Sequence, residues 1–394
     1  MTDPQTSRNL PSGLPPLEPE AREHQAAVAR YLAEQIRQAP GGFLPFDQWM
    51  HHTLYAPSLG YYAAGSTKFG GATLGGDFTT APELTPLFGR TLAAQVAQVL
   101  RASGSDSVLE FGAGSGALAA SLIPALRDLG IEPKYRIMEV SADLKERQFD
   151  RLAPLQADVR WLDALPDGFE GCVIANEVMD AMPVHLFRWQ EDGALHELGI
   201  VCEDDAFAMA QREAPPQLAR ALEQRMPAYP GYRSEINLQA EAWIRGMGDW
   251  LRRGAALLID YGFPRHEYYH PQRAEGTLMC HFRHHAHSDP LAYPGLQDIT
   301  AHVDFTAMAD TALEAGLDVM GYTSQARFLL NCGLMAHLPL NGAADGMEQA
   351  MALAAVQKLL SEAEMGELFK VLAIARGVEA PLLGFQQGDR RHRL

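Results

Sequence analysis

The chain has 394 residues, 47% hydrophobic and 21% charged, enough apolar material for a large core and too much for a disordered polymer. Its 49 acids against 32 Lys and Arg leave a net charge of −17, a field that disfavours nucleic acid and anionic membrane surfaces and suits a cationic substrate. Four scattered cysteines (Cys172, Cys202, Cys280, Cys332) without a CxxC read as reduced thiols, and no apolar run is long enough for membrane insertion. The first twenty residues are polar and proline-rich, unlike a secretory signal or a transit peptide; together with the thiols they predict a cytoplasmic protein.

In chain order, a helix is expected over about 20–38, stopped by Pro40-Gly41-Gly42. The glycine- and aromatic-rich stretch 60–77 reads as a long loop, a class of segment that often covers a ligand. Thr85 before Pro86 offers a helix start, with an end near Gly104. Short apolar strands then alternate with helices: strands at 107–111, 135–139, 159–162 and 172–176, helices at 116–129 and 141–152. That rhythm predicts an α/β fold with a mostly parallel, doubly wound sheet. After Pro183 it breaks into a hairpin (184–190 and 195–202, turning at Asp192-Gly193) and a polar stretch. A helix over 238–253 then leads into a buried strand at 255–261. Further strands are expected at 276–282, 317–323 and 372–375, and helices at 304–315 and 347–363.

The segment Glu110-Phe111-Gly112-Ala113-Gly114-Ser115-Gly116 joins a strand to a helix. Glycine there permits a sharp turn and close approach of a ligand to the backbone at a helix start. A dinucleotide site would want GxGxxG, whereas the third glycine comes one residue early here. Glu110 would repel a pyrophosphate and welcome an amino group, which suits the methionine end of S-adenosyl-L-methionine over NAD. Glu139 ends the next strand about 20 residues on, where a carboxylate can take both hydroxyls of a ribose. Val140 lies beside it, and Asp163 with Ala164 follows the third strand as a candidate adenine edge.

The fourth strand ends in Asn176-Glu177-Val178-Met179-Asp180, at the carboxyl edge where open α/β sheets gather their chemistry. Two acids three residues apart suit a cationic acceptor, and a carboxylate gripping a guanidinium could free one nitrogen for attack on a methyl donor. Asn176, Glu177 and Asp180 are therefore the candidate catalytic residues. Asn176 is also a candidate cofactor contact, with Glu110, Gly112, Ala113, Gly114, Gly116, Glu139, Val140, Asp163 and Ala164. The His281–His287 stretch lacks metal-ligand spacing, and no metal site is expected.

Several strings resemble the MidA-like family, whose members include a mitochondrial arginine methyltransferase that assists assembly of respiratory complex I. They are Gly60-Tyr61-Tyr62, the run from Gly76 through Phe78 to Glu83, Glu110 to Gly116, Asn176 to Pro183, Ser234 to Asn237, Ile259 to Gly262, Asp298 to Phe305 and Gly366 to Lys370. The resemblance covers about residues 43–385. It implies a class I (Rossmann-like) methyltransferase fold, S-adenosyl-L-methionine as donor with S-adenosyl-L-homocysteine as product, and a protein arginine as acceptor, with a respiratory-complex subunit as one such partner. It also implies that Phe78, Thr79 and Thr80 lie near the donor. Relatives often carry Pro and Arg where this chain has Ala113 and Ser115, which removes a cation but not the turn.

The expected division is a tail over 1–20, a helical and loop segment over 21–105 packing on the donor site, and a donor-binding core over 106–183. An inserted α+β substrate subdomain over 184–236, completion of the sheet over 237–385 and a tail over 386–394 follow. Competing readings are a donor-binding assembly module without turnover and an NAD-dependent oxidoreductase.

Overall fold

A computed structural model describes residues 11–64, 80–203, 206–338 and 346–394. The chain divides into two compact units, one holding Asp180–Ala240, Arg265–His302 and the described residues before 79, the other Glu241–Pro264, Val303–Leu394 and the described residues from 80 to Met179.

The second unit is built on a central sheet. Its strands are β1 (Ser107–Phe111), β2 (Lys134–Met138), β3 (Asp158–Leu162), β4 (Phe169–Asn176), β5 (Leu251–Phe263), β6 (Asp318–Ser324) and β7 (Phe369–Arg376). They lie in the order β3-β2-β1-β4-β5-β7-β6, and the bridge Val303–Asp304 adds to the end of β5. The first five are mutually parallel, while β7 runs antiparallel to both β5 and β6. This is the mostly parallel, doubly wound sheet that the alternation predicted. Its middle is apolar on both faces, as a sheet covered on both sides requires: Ala255 to Ile259 on β5 and Val371 to Ala375 on β7 are all essentially without exposure. The helix Leu87–Ser103 lays Leu92, Val96 and Leu100, four apart, into the same core. Thr85 contributes as expected, its Oγ1 accepting the Leu87 amide at 3.3 Å, although the helix starts one residue past Pro86. Gly104 ends it at φ +70°.

The helix expected over 238–253 stops at Trp250, because β5 begins at Leu251 and pairs there with Phe169. The helix Gln325–Asn331 had no counterpart in the sequence reading.

The first unit carries the helices Pro19–Gln38 and Phe46–Tyr55 and a small antiparallel sheet. The expected hairpin is present as His185–Trp189 against Leu195–Glu203. Two further strands join it, Ala206–Glu213 and Arg233–Ile236, where the sequence predicts no strand. A three-stranded sheet of Met279–Phe282 between His285–His287 and Asp298–Thr300 completes this unit. Among the described residues no helix is long and apolar enough to cross a membrane.

Candidate functional site

The glycine turn follows β1 directly. Gly112, Gly114 and Gly116 have φ of +61°, +53° and +81°, the left-handed region that side chains resist, which is why glycine recurs at alternate positions. Gly116 then caps the helix Ala117–Asp128. The turn is folded onto its surroundings by two of its own amides, Gly112 N–H donating to Met138 O at 3.0 Å and Gly116 N–H to Ala113 O at 2.8 Å. A Cβ on Gly112 would sit 3.2 Å from Val178, whereas one on Gly114 would meet nothing within 4 Å among the described residues. The exposed backbone at Gly114 thus borders open space. The Ala113 side chain points the other way, into the core.

Ser115 is engaged from two sides. Its hydroxyl donates to Glu83 Oε1 and accepts from Arg151 Nη1, and Arg151 lies 3.5 Å from the same carboxylate. The cation missing from position 115 is supplied at this spot from the helix Ala142–Leu152. Glu83 closes the Gly76–Glu83 string. Phe78 and Thr79 of that string lie outside the described residues, and Thr80 stands at the start of the short helix Ala81–Leu84.

Glu110 is buried within the sheet's cover, where Tyr135 Oη donates to its Oε2 at 2.6 Å. Burial lifts its pKa to about 7, with the Glu139 charge adding to the rise and the tyrosine opposing it. Glu139 is the first residue beyond β2. Ser141 N donates to its Oε1 at 2.9 Å and Gln148 Nε2 to its Oε2 at 3.0 Å. Each oxygen keeps acceptor capacity after these bonds. Burial raises this carboxyl too, against the pull of those donors. Next to it Val140 is 79% exposed, an apolar face left on the surface beside an acid. Asp163 is open to solvent and held by Lys145 Nζ at 2.8 Å, and Ala164 is exposed beside it.

One residue that sequence reasoning missed ties this region together. Gln148 is fully buried; besides its bond to Glu139, its Nε2 donates to Gly114 O at 2.8 Å, while Trp161 Nε1 donates to its Oε1 at 2.7 Å. A glutamine in a helix reads as surface from sequence, and nothing in its spacing marked it.

At the end of β4, Asn176 Nδ2 donates to Glu177 Oε1 at 3.1 Å. Glu177 has φ +54°, a strained conformation for a residue with a side chain, and its amide donates to Ile259 O at 2.9 Å. Asp260, wholly buried on β5, accepts the Met179 amide at 3.0 Å and the Tyr261 amide at 2.9 Å. An acid inside the apolar run of β5 was the available sequence signal for this support. Among the described residues the buried Asn176 Oδ1 has no hydrogen-bond partner. The structure therefore brings Asn176 and Glu177 together on the sheet. Asp180 belongs to the other unit, where its backbone carbonyl accepts from Ala301 N at 3.0 Å.

The His281–His287 stretch is a hairpin, with His281 opposite Ala286 and the turn at Arg283 and His284, both at positive φ. Burial and the neighbouring His287 push His281 down to about 4, so its ring is neutral. Among the described residues one group has donor atoms close enough for a metal ion, Asp47, His185 and Glu197, within 4.8 Å of one another. Glu197 is already paired there with Arg212 at 2.9 Å.

These residues fit an S-adenosyl nucleoside. A left-handed glycine backbone borders space at Gly114, a carboxylate oriented by two donors has lone pairs for a diol, and an apolar side chain stands exposed beside it. Comparisons with known proteins agree. Residues 91–323 match the model of a family described as "Putative S-adenosyl-L-methionine-dependent methyltransferase". A crystal structure of a "likely methyl transferase" from Burkholderia thailandensis bound to S-adenosyl-homocysteine is 50% identical, with a TM-score of 0.91 over 97% of this chain and 100% of that one. A native structure of an uncharacterized protein from the same organism is 49% identical, with a TM-score of 0.90 over the same shares. The protein arginine methyltransferase NDUFAF7 homolog, mitochondrial, of Drosophila melanogaster is 28% identical over 95% of this chain and 94% of its own length. The rat protein arginine methyltransferase NDUFAF7, mitochondrial, is 27% identical over 91% and 86%.

One expectation is overturned. The cytoplasmic reading conflicts with relatives named as mitochondrial. Neither free cysteines nor a polar first segment names a compartment.

Proposed function

Because this chain belongs to the MidA-like family of S-adenosyl-L-methionine-dependent methyltransferases, we propose that its acceptor is an arginine side chain of a partner protein. The observation that carries this reading is the Asn176–Glu177 pair. A carboxylate beside the Asn176 amide oxygen, on a strained turn, is what the forked donors of a guanidinium match. The acidic net charge favours approach of such a cation. The names of the relatives, protein arginine methyltransferases, support the same acceptor class. A subunit of a respiratory complex is one partner of that class, suggested by the family resemblance.

The donor, when bound, supplies a methyl group on a sulfonium, already a good leaving group. The work left to this chain is binding and alignment. In this proposal Glu139 holds the ribose, Val140 and the Asp163-Ala164 turn flank the adenine, and the Gly112–Gly116 backbone with Ala113 and Glu110 receives the methionine end. The family resemblance adds Phe78, Thr79 and Thr80 as donor contacts. Glu177 holds the distal guanidinium nitrogens, concentrates the positive charge there and leaves the attacking nitrogen its lone pair. Asn176 orients that carboxylate.

The test is transfer of labelled methyl from the donor to cellular protein, with methylarginine mapped by mass spectrometry in matched strains with and without the gene. Arginine sites that lose methylation in the deletion and regain it with the wild-type chain but not with Glu177→Gln support the reading. Label arriving only on another residue type would refute it.

A further inference from the structure

We propose that Gln148 is a positioning residue for donor binding, holding the Glu139 carboxylate in register with the glycine turn. The inference rests on the reading of Glu139 as the grip on the ribose. The amide of Gln148 spans three elements: it donates to Gly114 O at 2.8 Å and to Glu139 Oε2 at 3.0 Å, and it accepts from Trp161 Nε1 on β3 at 2.7 Å.

Its orientation is fixed by chemistry. An indole N–H can only donate, so it must face the amide oxygen, and both hydrogens of Nε2 are then directed at two acceptors, the carbonyl and the carboxylate. Every polar group of this buried side chain is used. Gly116 lies beside it, since a Cβ there would be in ordinary contact with Gln148, 3.4 Å from its Cγ and 3.5 Å from its Cα. The rim of the nucleoside crevice is thus set by one side chain behind it. Ser141 N fixes the other oxygen of Glu139 at 2.9 Å, so losing Gln148 leaves the carboxylate held by backbone amides alone, without its link to the glycine turn.

Titration calorimetry of S-adenosylhomocysteine against the full chain tests this with Glu139→Gln, Gln148→Leu, the double variant and Trp161→Phe, each checked by circular dichroism melting without ligand. Gln148→Leu is expected to weaken binding about tenfold, the scale of a charge-assisted hydrogen bond. Trp161→Phe, which keeps an aromatic ring against Phe149, should weaken it severalfold by releasing the amide to turn. In the Glu139→Gln background Gln148→Leu should add little, because the group it positions is gone. A merely structural role predicts the reverse: lower melting, with affinity losses that add. Additive losses, or wild-type affinity in folded Gln148→Leu, would overturn the inference while leaving the ribose reading intact. Unchanged affinity in Glu139→Gln would sink both. Should Gln148→Leu fail to fold, Trp161→Phe decides alone: wild-type affinity refutes the proposal, and a loss that vanishes in the Glu139→Gln background upholds it.

Discussion

The carboxylate of Asp260 accepts the Met179 amide at 3.0 Å, fastening the turn that begins at left-handed Glu177 to the neighbouring strand. It also accepts the Tyr261 amide, so both oxygens serve as acceptors for backbone N–H groups in a site without solvent. In Asp260→Asn one of those N–H groups would face an NH2, at a cost of about 1–3 kcal/mol for the lost bond. The glycine turn proposed to receive the donor follows β1, which is separated from β5 by β4. The expected outcome is a loss of turnover of tenfold or more, with S-adenosylhomocysteine affinity within about threefold of wild type. Steady-state kinetics beside calorimetry check it; equal losses in both would mean that Asp260 supports the whole sheet edge.

Glu177 holds a conformation in which glycine would be more comfortable. Glu177→Gly should therefore raise unfolding stability by up to about 1 kcal/mol, the scale of the strain relieved, while abolishing turnover. Glu177→Gln keeps the strain and loses the charge, so its stability should match wild type and its turnover should fall. Urea unfolding and methyl-transfer assays on the two variants separate backbone strain from carboxylate chemistry. A fully active Glu177→Gly would end the clamp idea.

Gly114 combines a left-handed φ with open space beyond it. Gly114→Val projects its branches into that space, at a backbone cost of about 1–2 kcal/mol. The protein should still fold, yet the rise in melting temperature that S-adenosylhomocysteine gives the wild type should disappear, since only a ligand of the native state shifts the midpoint. Retained stabilisation would move the donor away from this turn.

Glu110 makes the fold pH-dependent. Burial raises its pKa to about 7, above the value near 4.5 that it has when unfolded. The folded state thus binds this proton more tightly. The stability so contributed is complete below about pH 4.5 and is lost as pH climbs through about 7, some 3 kcal/mol on the order-of-magnitude scale of 1.4 kcal/mol per unit. Between pH 5 and pH 8 the unfolding free energy from urea melts should fall by about 2.5 kcal/mol more in wild type than in Glu110→Gln. Equal falls would show that the Glu110 pKa is not raised by folding.

The sheet was legible because its strands break no local rule. The cores of β5 and β7 are unbroken apolar runs, and the glycine turn after β1 is stereochemically demanding enough to be written in the residues themselves. The strand Ala206–Glu213 buries only Phe207, so it shows no alternation to read. Arg233–Ile236 is four residues long and places Glu235 inside, a buried acid held by Tyr268 and Thr277 where the pattern calls for an apolar side chain. Gln148 escaped for the same reason: its meaning lies in partners brought close only by the fold, and single-residue polarity points the wrong way.

The placement of β7 between β5 and β6 bears on how the polypeptide comes off the ribosome. Residues 369–376 fill a slot between strands made more than a hundred and about fifty residues earlier. Until they arrive, β5 and β6 each offer an open ladder edge backed by oily side chains, an invitation to foreign strands. A nascent chain or a nonsense product stopping short of Phe369 therefore cannot close its main sheet, and its natural fate is capture by a holdase or deposition as aggregate.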